Sequence, residues 1–197
     1  MKTLLLAAAT VLAVSACSSN PTTSAPPSSS STSKTTSASA SASASTAKAA
    51  VVNLASASGS LVSGRLSVTP MGDGVHLTGE IGGFTPNSVH AIHIHEKGDC
   101  SAADASSAGG HFNPGGSPHG KVDSGAHHGG DMDNITANGE GVAKVSVHAA
   151  GVTLGGGAAN DVAGKAVIVH AAPDDYKTQP TGNAGGRQAC GVITVTK

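Results

Sequence analysis

The feature that most constrains this fold is a series of short apolar runs with period-two alternation, separated by Gly, Asn and Pro. Runs rich in Val, Ile, Leu and Thr lie at residues 51–57, 61–69, 74–81, 88–96, 131–137, 142–148, 165–170 and 192–196. Because no helical period occurs between them, we expect an all-β chain, an eight-stranded sandwich or barrel. With two Phe, one Tyr and no Trp, its core must be packed by Val, Leu and Ile, as β-branched strands allow.

Two long segments interrupt the strand pattern, residues 97–130 and 171–187. Loops of this length in a compact domain are usually functional or disordered. Because they contain a group of histidines and a conspicuous arginine, Arg187, we expect two long functional loops.

The N-terminus has the pattern of an export signal over residues 1–16, with Lys2 followed by an apolar stretch at 4–14. That stretch is shorter than the ~20 residues of a membrane span. Residues 14–17 resemble a bacterial lipobox, which predicts a lipid-modified Cys17, a membrane-anchored protein and a location outside the cytoplasm, in the cell envelope or periplasm. The alternative is an ordinary signal peptide cut near Ala16. If Cys17 is lipidated, residues 17–49 are expected to be the lipidated Cys and a disordered tether, since 18–49 are almost entirely Ser, Thr, Ala and Pro.

Residues 50–197 have the size of one single-core domain. All twelve acidic residues lie there with eight of the eleven Lys and Arg (Lys2, Lys34 and Lys48 precede it), so its net charge is 8 − 12 = −4. This acidic balance argues against nucleic acid as a partner. With Cys17 assigned to lipid, Cys100 and Cys190 remain, and in an oxidising compartment such a pair most simply forms a disulfide.

Ten histidines among so few aromatics indicate a metalloprotein, because neutral imidazole is a common ligand of zinc and copper. His93 and His95 are two apart on a predicted strand and therefore face the same side, as two ligands of one metal would. His111 and Asp131 bracket further loop histidines, and three imidazoles with one carboxylate make a complete zinc set. Water-exposed loop histidines are the alternative, and His127 competes with His128 for a place in the set.

Five motifs together resemble the copper/zinc superoxide dismutase family. They are His93-Ile94-His95-Glu96, Gly110-His111-Phe112-Asn113-Pro114, His128-Gly129-Gly130-Asp131, Val169-His170 and the segment 182–191. They follow the family's order with compatible spacing, and the resemblance covers essentially all of residues 50–197. It implies a flattened, immunoglobulin-like Greek-key β-barrel of eight strands with two long loops, in agreement with the strand pattern.

The resemblance also implies roles for individual residues. The copper ligands would be His93, His95, His111 and His170, and the zinc ligands His111, His119, His128 and Asp131. His111 would then serve both metals, one copper and one zinc ion per subunit, and take part in proton delivery. Asp174 would hydrogen-bond one histidine of each metal, Arg187 would guide superoxide, and Cys100 would pair with Cys190.

The family implies an enzyme that converts superoxide to oxygen and hydrogen peroxide. The alternative is a non-catalytic zinc- or copper-binding relative on the cell envelope. The loop 171–187 is shorter than in eukaryotic members and carries little positive charge, so long-range steering falls to candidates such as Lys97, Lys121 and Lys177. The sequence leaves open whether the protein is a monomer or a homodimer.

The remaining histidines are not expected to bind metal. His90 matches a family histidine that is not a ligand, and His127 is expected to be exposed. His76 and His148 lie on predicted strands without partners at ligand spacing.

Overall fold

The computed structural model describes residues 44–196. The predicted signal peptide, Cys17 and most of the predicted tether lie outside the described residues. Within residues 44–196, no helix has the length and apolar character needed to cross a membrane.

Ten antiparallel strands make up the described fold, which confirms the all-β prediction. They are β1 Ala50–Ser56, β2 Ser63–Met71, β3 Gly74–Gly82, β4 Val89–His90, β5 Ile92–His95, β6 Ile135–Thr136, β7 Ala143–Ala150, β8 Ala166–His170, β9 Arg187–Val192 and β10 Thr194–Val195. One sheet has the order β5-β8-β9-β1-β2-β3-β7, with β10 also paired to β1. The pair β4-β6 forms a second small sheet.

The large sheet curls so that its two ends are linked through the small one. At one end, β4 leads into β5 with only Ala91 between them. At the other, a bridge between Ala137 and Ala143 joins the end of β6 to the start of β7. Closing a sheet in this way leaves fewer unpaired edges. The result is consistent with the expected Greek-key barrel or sandwich.

The core is aliphatic, as the composition predicts. Its largest fully buried side chains include Leu66, Leu77, Ile81, Ile94 and Ile168. Strands β3 and β7 alternate between this core and the outer face, because successive side chains of a strand point to opposite faces.

Three strand predictions need correction. The run 88–96 is broken at Ala91, where the pairing changes: its N–H donates to Ala172 O in the second long loop, and its oxygen accepts from His170 N at the end of β8. The run 131–137 is strand only at Ile135–Thr136, because His128 and Asp131 form a turn before it. Strand β9 was not predicted, since its buried residues Ala189, Cys190 and Gly191 are small and do not alternate with polar ones.

The segment just before β1 lies against the barrel. The backbone amides of Thr46 and Ala47 both donate to Leu154 O, at 3.1 and 3.0 Å, and the Ser45 hydroxyl accepts from Leu154 N at 2.9 Å. The structure therefore orders residues that the sequence assigns to the tether, because backbone bonds fix them without any large apolar side chain.

Candidate metal centre

Strand β5 forms the floor of the centre. All four of its residues are buried: Ile94 contributes to the apolar core, whereas His93 and His95 lie under the two long loops. A backbone junction fixes the first loop here, since Gly130 O accepts from Ile94 N and Gly130 N donates to Phe112 O, each at 2.8 Å. A Cβ at Gly130 would overlap Ile94 O, so this close approach requires glycine.

Four histidines form the first ligand set. One nitrogen from each of His93, His95, His111 and His170 lies within 4.8 Å of the others, and all four residues are buried. His95 Nε2 and His170 Nε2 are 3.4 Å apart. Their opposite nitrogens donate to backbone carbonyls, His95 Nδ1 to Gly109 O at 2.9 Å and His170 Nδ1 to Gly185 O at 3.3 Å. These bonds fix the ring orientations, as ligand histidines require.

The second set consists of His111, His119, His128 and Asp131, also buried. Asp131 Oδ1 lies 2.9 Å from His111 Nδ1, 3.0 Å from His119 Nδ1 and 3.4 Å from His128 Nδ1. His128 Nδ1 and His111 Nδ1 are 3.3 Å apart. Three nitrogens and one carboxylate oxygen converging in this way suit tetrahedral zinc.

Orphaned nitrogens support metal binding at the first set. His93 Nδ1 and His111 Nε2 are buried and have no hydrogen-bond partner among residues 44–196. Leaving a buried polar atom without a partner costs about 1–3 kcal/mol. Both atoms belong to residues of the first set, so a metal ion there would satisfy both.

Burial keeps three histidines of the first set in the metal-binding protonation state. It lowers the pKa of His93 to about 4, that of His170 to about 3 and that of His95 to about 2. At neutral pH these imidazoles are uncharged, so a metal ion need not displace a proton from them.

In the second set, contacts between carboxylates and imidazoles shift the pKa values of Asp131 and His119. Burial favours a raised pKa for Asp131, but hydrogen bonds from His111 and His119 outweigh it and hold this pKa well below its usual value. For His119, burial lowers the pKa, whereas hydrogen bonds to Asp131 and Asp174 raise it, to about 9 overall. Because a ligand imidazole must release the proton from its metal-binding nitrogen, metal binding to His119 releases a proton at neutral pH.

Asp174 connects the two sets. Its carboxylate accepts from His93 Nε2 and from His119 Nε2, both at 2.9 Å. No sequence pattern indicates what holds Asp174: the Asn134 side chain accepts from Asp174 N at 2.8 Å and donates to Asp174 O at 2.9 Å. Gln179, which bonds the backbone of His119, was also missed. An Asn and a Gln in polar loops give no sequence signal that distinguishes them from surface residues.

Arg187 lies beside the first set, at the start of β9. Its Nη1 donates to Ala105 O and its Nη2 to Gly109 O, both at 2.6 Å. Gly109 O also accepts from His95, so one carbonyl links the arginine to a histidine of the first set. The predicted disulfide is confirmed, since Cys100 and Cys190 are bonded with Cα atoms 5.7 Å apart.

The other histidines lie outside both sets. His90 is buried, donates to His170 O at 2.8 Å and stacks on Phe84. His127 is half-buried and donates to the backbone oxygen of its neighbour His128 at 2.7 Å. The structure therefore places His128, not His127, with Asp131.

The candidate steering lysines differ in their surroundings. Lys121 lies 4.0 Å from Asp133 and over the Tyr176 ring, 5.7 Å from its centroid. An adjacent carboxylate offsets its charge. Lys97 lines a surface cleft together with Glu96 and Lys165.

Sequence comparisons connect this geometry to known proteins. A family model described as copper/zinc superoxide dismutase matches residues 62–193. The chain is 40% identical over 147 residues to superoxide dismutase (Cu-Zn) 2 of Aquifex aeolicus (strain VF5), covering 73% of this chain and 85% of that protein. It is 43% identical over 136 residues to superoxide dismutase (Cu-Zn) of Caulobacter vibrioides, covering 66% and 78%.

Solved structures are similar as well. A SOD-like protein from Bacillus subtilis matches with 33% identity and a TM-score of 0.66, over 73% of this chain and 97% of that one. The clock protein EA4 matches with 34% identity and a TM-score of 0.68, over 77% and 96%.

Proposed function

Because the chain belongs to the copper/zinc superoxide dismutase family, we propose that its two ligand sets divide the family's metals between them. The protein is an oxidoreductase that converts superoxide to oxygen and hydrogen peroxide, with copper and zinc as cofactors. In this proposal the copper ligands are His93, His95, His111 and His170. The zinc ligands are His111, His119, His128 and Asp131.

The observation that carries this assignment is the shared position of His111. Its Nδ1 lies 2.9 Å from Asp131 in the set with a carboxylate, and its buried Nε2 has no partner among the described residues. When bound, copper supplies one-electron redox chemistry and zinc has no redox role. The set with Asp131 suits zinc, and the all-imidazole set suits copper.

The reaction takes two superoxide ions and two protons to one oxygen and one hydrogen peroxide. In the proposed mechanism His111 holds a proton at Nε2 between the two half-reactions and gives it to the departing peroxide. The other ring nitrogen, Nδ1, would be held beside Asp131 at the proposed zinc position throughout. Asp174 holds His93 and His119 from outside, so the two sets stay aligned while the proton moves.

Arg187 supplies the attraction for the anionic substrate. A guanidinium is always charged and donates in a fixed fork, and here it is held by two carbonyls beside His95. The disulfide ties Cys190 of the same strand to the loop that contains Ala105. Arg187 therefore has a defined position before substrate arrives.

The alternative of a non-catalytic relative would be favoured by a missing ligand in the copper set. Here imidazoles fill all four of its positions and Arg187 is present. Nothing in the site favours that alternative over catalysis.

The test is superoxide consumption by the copper- and zinc-loaded protein. We expect Arg187→Glu to slow it far more than Arg187→Lys, because charge reversal repels the anion whereas lysine keeps the charge. Metal content, measured in parallel, should match the wild type in both variants. Equal rates for the two variants would show that Arg187 only braces the loop.

We also propose that the protein is exported and anchored by lipid on Cys17. The support is the apolar stretch at residues 4–14 followed by Cys17, together with the Cys100–Cys190 disulfide, which is typical of proteins outside the cytoplasm. Residues between Cys17 and the barrel would then act as the tether.

Metabolic labelling with an alkyne fatty acid tests the anchor. The wild type should carry label and sediment with membranes, and Cys17→Ser should lose both properties. Ser18→Ala is the matched control and should behave as wild type. Unlabelled wild-type protein in the soluble fraction would instead support the ordinary signal peptide.

A further inference from the structure

Two histidines outside the centre face each other on the outer surface of the barrel. His76 on β3 and His148 on β7 are direct partners in the antiparallel register. Inward neighbours on both strands, such as Leu77 and Val147, belong to the core, so the two imidazoles share the opposite face. Side chains directly opposite one another across an antiparallel pair lie close enough to interact.

One nitrogen of each ring is already occupied. His148 Nε2 donates to Asp73 Oδ1 at 3.0 Å, and His76 Nε2 is hydrogen-bonded to Ser146 Oγ at 3.1 Å. The hydrogen bond from His148 also lowers the pKa of Asp73, so this carboxylate stays charged. A carboxylate on the far nitrogen of an imidazole is the arrangement that orients metal-binding histidines and raises their basicity.

The other nitrogen of each ring has no hydrogen-bond partner in the described part of the chain. His76 Nδ1 and His148 Nδ1 are shielded from solvent, and no residue among 44–196 hydrogen-bonds either atom. With Nε2 of His148 donating to Asp73, its Nδ1 carries a lone pair that nothing in the described chain uses. An orphaned nitrogen on each of two opposed rings points to a shared ligand.

The spacing of the rings suits a metal ion. Their centroids are 6.4 Å apart with an interplanar angle of 32°. His111 and His170, both in the copper set, are separated by 6.3 Å between centroids. A metal–nitrogen bond is ~2.0–2.1 Å, so this separation of the ring centroids is compatible with one ion bound by both rings.

We propose that His76 and His148 form a second transition-metal site, separate from the dismutase centre. The ion is a late divalent metal, Cu²⁺ above all, because imidazole suits Cu, Ni and Zn and copper binds tightest in that series. Water completes its coordination, since His148 keeps a quarter of its side chain exposed. The spacing of 72 residues between the two histidines hides this pair in the sequence, and only the β3–β7 register reveals it.

Copper titration of the purified protein, with its copper and zinc already bound, tests the proposal. Calorimetry and electron paramagnetic resonance should detect one additional nitrogen-coordinated Cu²⁺ per chain. His76→Asn and His148→Asn should each weaken this binding at least tenfold, and Asp73→Asn should weaken it on the order of tenfold. Superoxide consumption and the thermal midpoint should stay at the wild-type level in all three variants.

His127→Asn is the matched control, because it removes an imidazole outside the pair, and it should leave the added Cu²⁺ in place. A second measurement uses the wild type alone: Zn²⁺ should shift the nuclear magnetic resonance signals of both His76 and His148 rings. The proposal would be overturned if no additional Cu²⁺ bound, or if it persisted in the His76→Asn/His148→Asn double variant. It would also be overturned if His127→Asn lost the added Cu²⁺ to the same extent, or if Zn²⁺ left the two ring signals unshifted.

Discussion

Gln179 holds the backbone of His119 at both ends. Its side-chain oxygen accepts from His119 N at 2.8 Å, and its amide donates to His119 O at 2.9 Å. Gln179 lies in the second long loop and His119 in the first, 60 residues earlier. A histidine of the second ligand set therefore depends for its position on a loop that contributes no residue to that set.

Removing this contact between Gln179 and His119 should speed zinc dissociation. Gln179→Ala loses two hydrogen bonds, each with a net value of about 0.5–1.5 kcal/mol, so we expect the free energy of unfolding to fall by about 1–3 kcal/mol and zinc to dissociate faster. Gln179→Glu keeps the acceptor for His119 N and should show a smaller effect. Zinc transfer to a chromogenic chelator measures the rate, and equal rates for wild type and Gln179→Ala would refute this role.

Gly182 should not tolerate a side chain. Its φ is +66°, and a Cβ there would overlap the Asp174 carboxylate and approach His119 Nε2 to 2.7 Å. Gly182→Ala should therefore displace Asp174 and weaken metal binding at both sets, by about 10- to 100-fold if it breaks the carboxylate–histidine bonds.

The control for this substitution lies four residues later. A Cβ at Gly186 would meet nothing within 4 Å, so Gly186→Ala should bind copper and zinc as the wild type does. Chelator competition measures both affinities. Wild-type affinities in Gly182→Ala would mean that the loop shifts without cost to Asp174.

The disulfide should contribute much of the stability. Cys100 and Cys190 are 90 residues apart, and the chain-entropy relation gives about 4–5 kcal/mol for a loop of that size. We expect Cys100→Ser/Cys190→Ser to lower the free energy of unfolding by a comparable amount in urea titrations. The reducing agent dithiothreitol should destabilise the wild type but not this variant, and equal sensitivity of the two would contradict the assignment.

The metal-free protein should lose stability in mild acid. Burial lowers the pKa of His93 in the folded state to about 4, below the ordinary value near 6.5. Between these values the unfolded chain binds more protons, so stability falls as the pH drops from about 6.5 to about 4. His170 and His95, with pKa values of about 3 and about 2, act in the same direction.

His119 has the opposite effect at higher pH. Its pKa of about 9 means that its stabilising contribution is lost as the pH rises from about 6.5 through 9. The midpoint of urea unfolding should therefore be highest near pH 6–7. In His93→Asn, the midpoint of urea unfolding should fall less steeply as the pH drops from 6.5 to 4. A wild-type midpoint independent of pH over this range would rule out neutral buried histidines.

The sequence predicts the strand-rich fold because alternation is a local property of each strand. It also identifies the histidines that the structure gathers, since the motifs carry them in order. It misses β9, whose small buried residues Ala189, Cys190 and Gly191 leave no alternating pattern. It overextends the strand at 131–137, because the turn there is made by His128 and Asp131 bonding each other.

What the sequence determined by itself was the residue types: which strands have an apolar face, which side chains can bind metal, and which two cysteines can pair. Only the tertiary structure decided which of these groups meet. Asn134 reaches Asp174, Gln179 reaches His119, and His76 faces His148 across 40, 60 and 72 residues of chain. Such contacts depend on strand register and loop packing, which are set by the whole core and are not written in any local pattern.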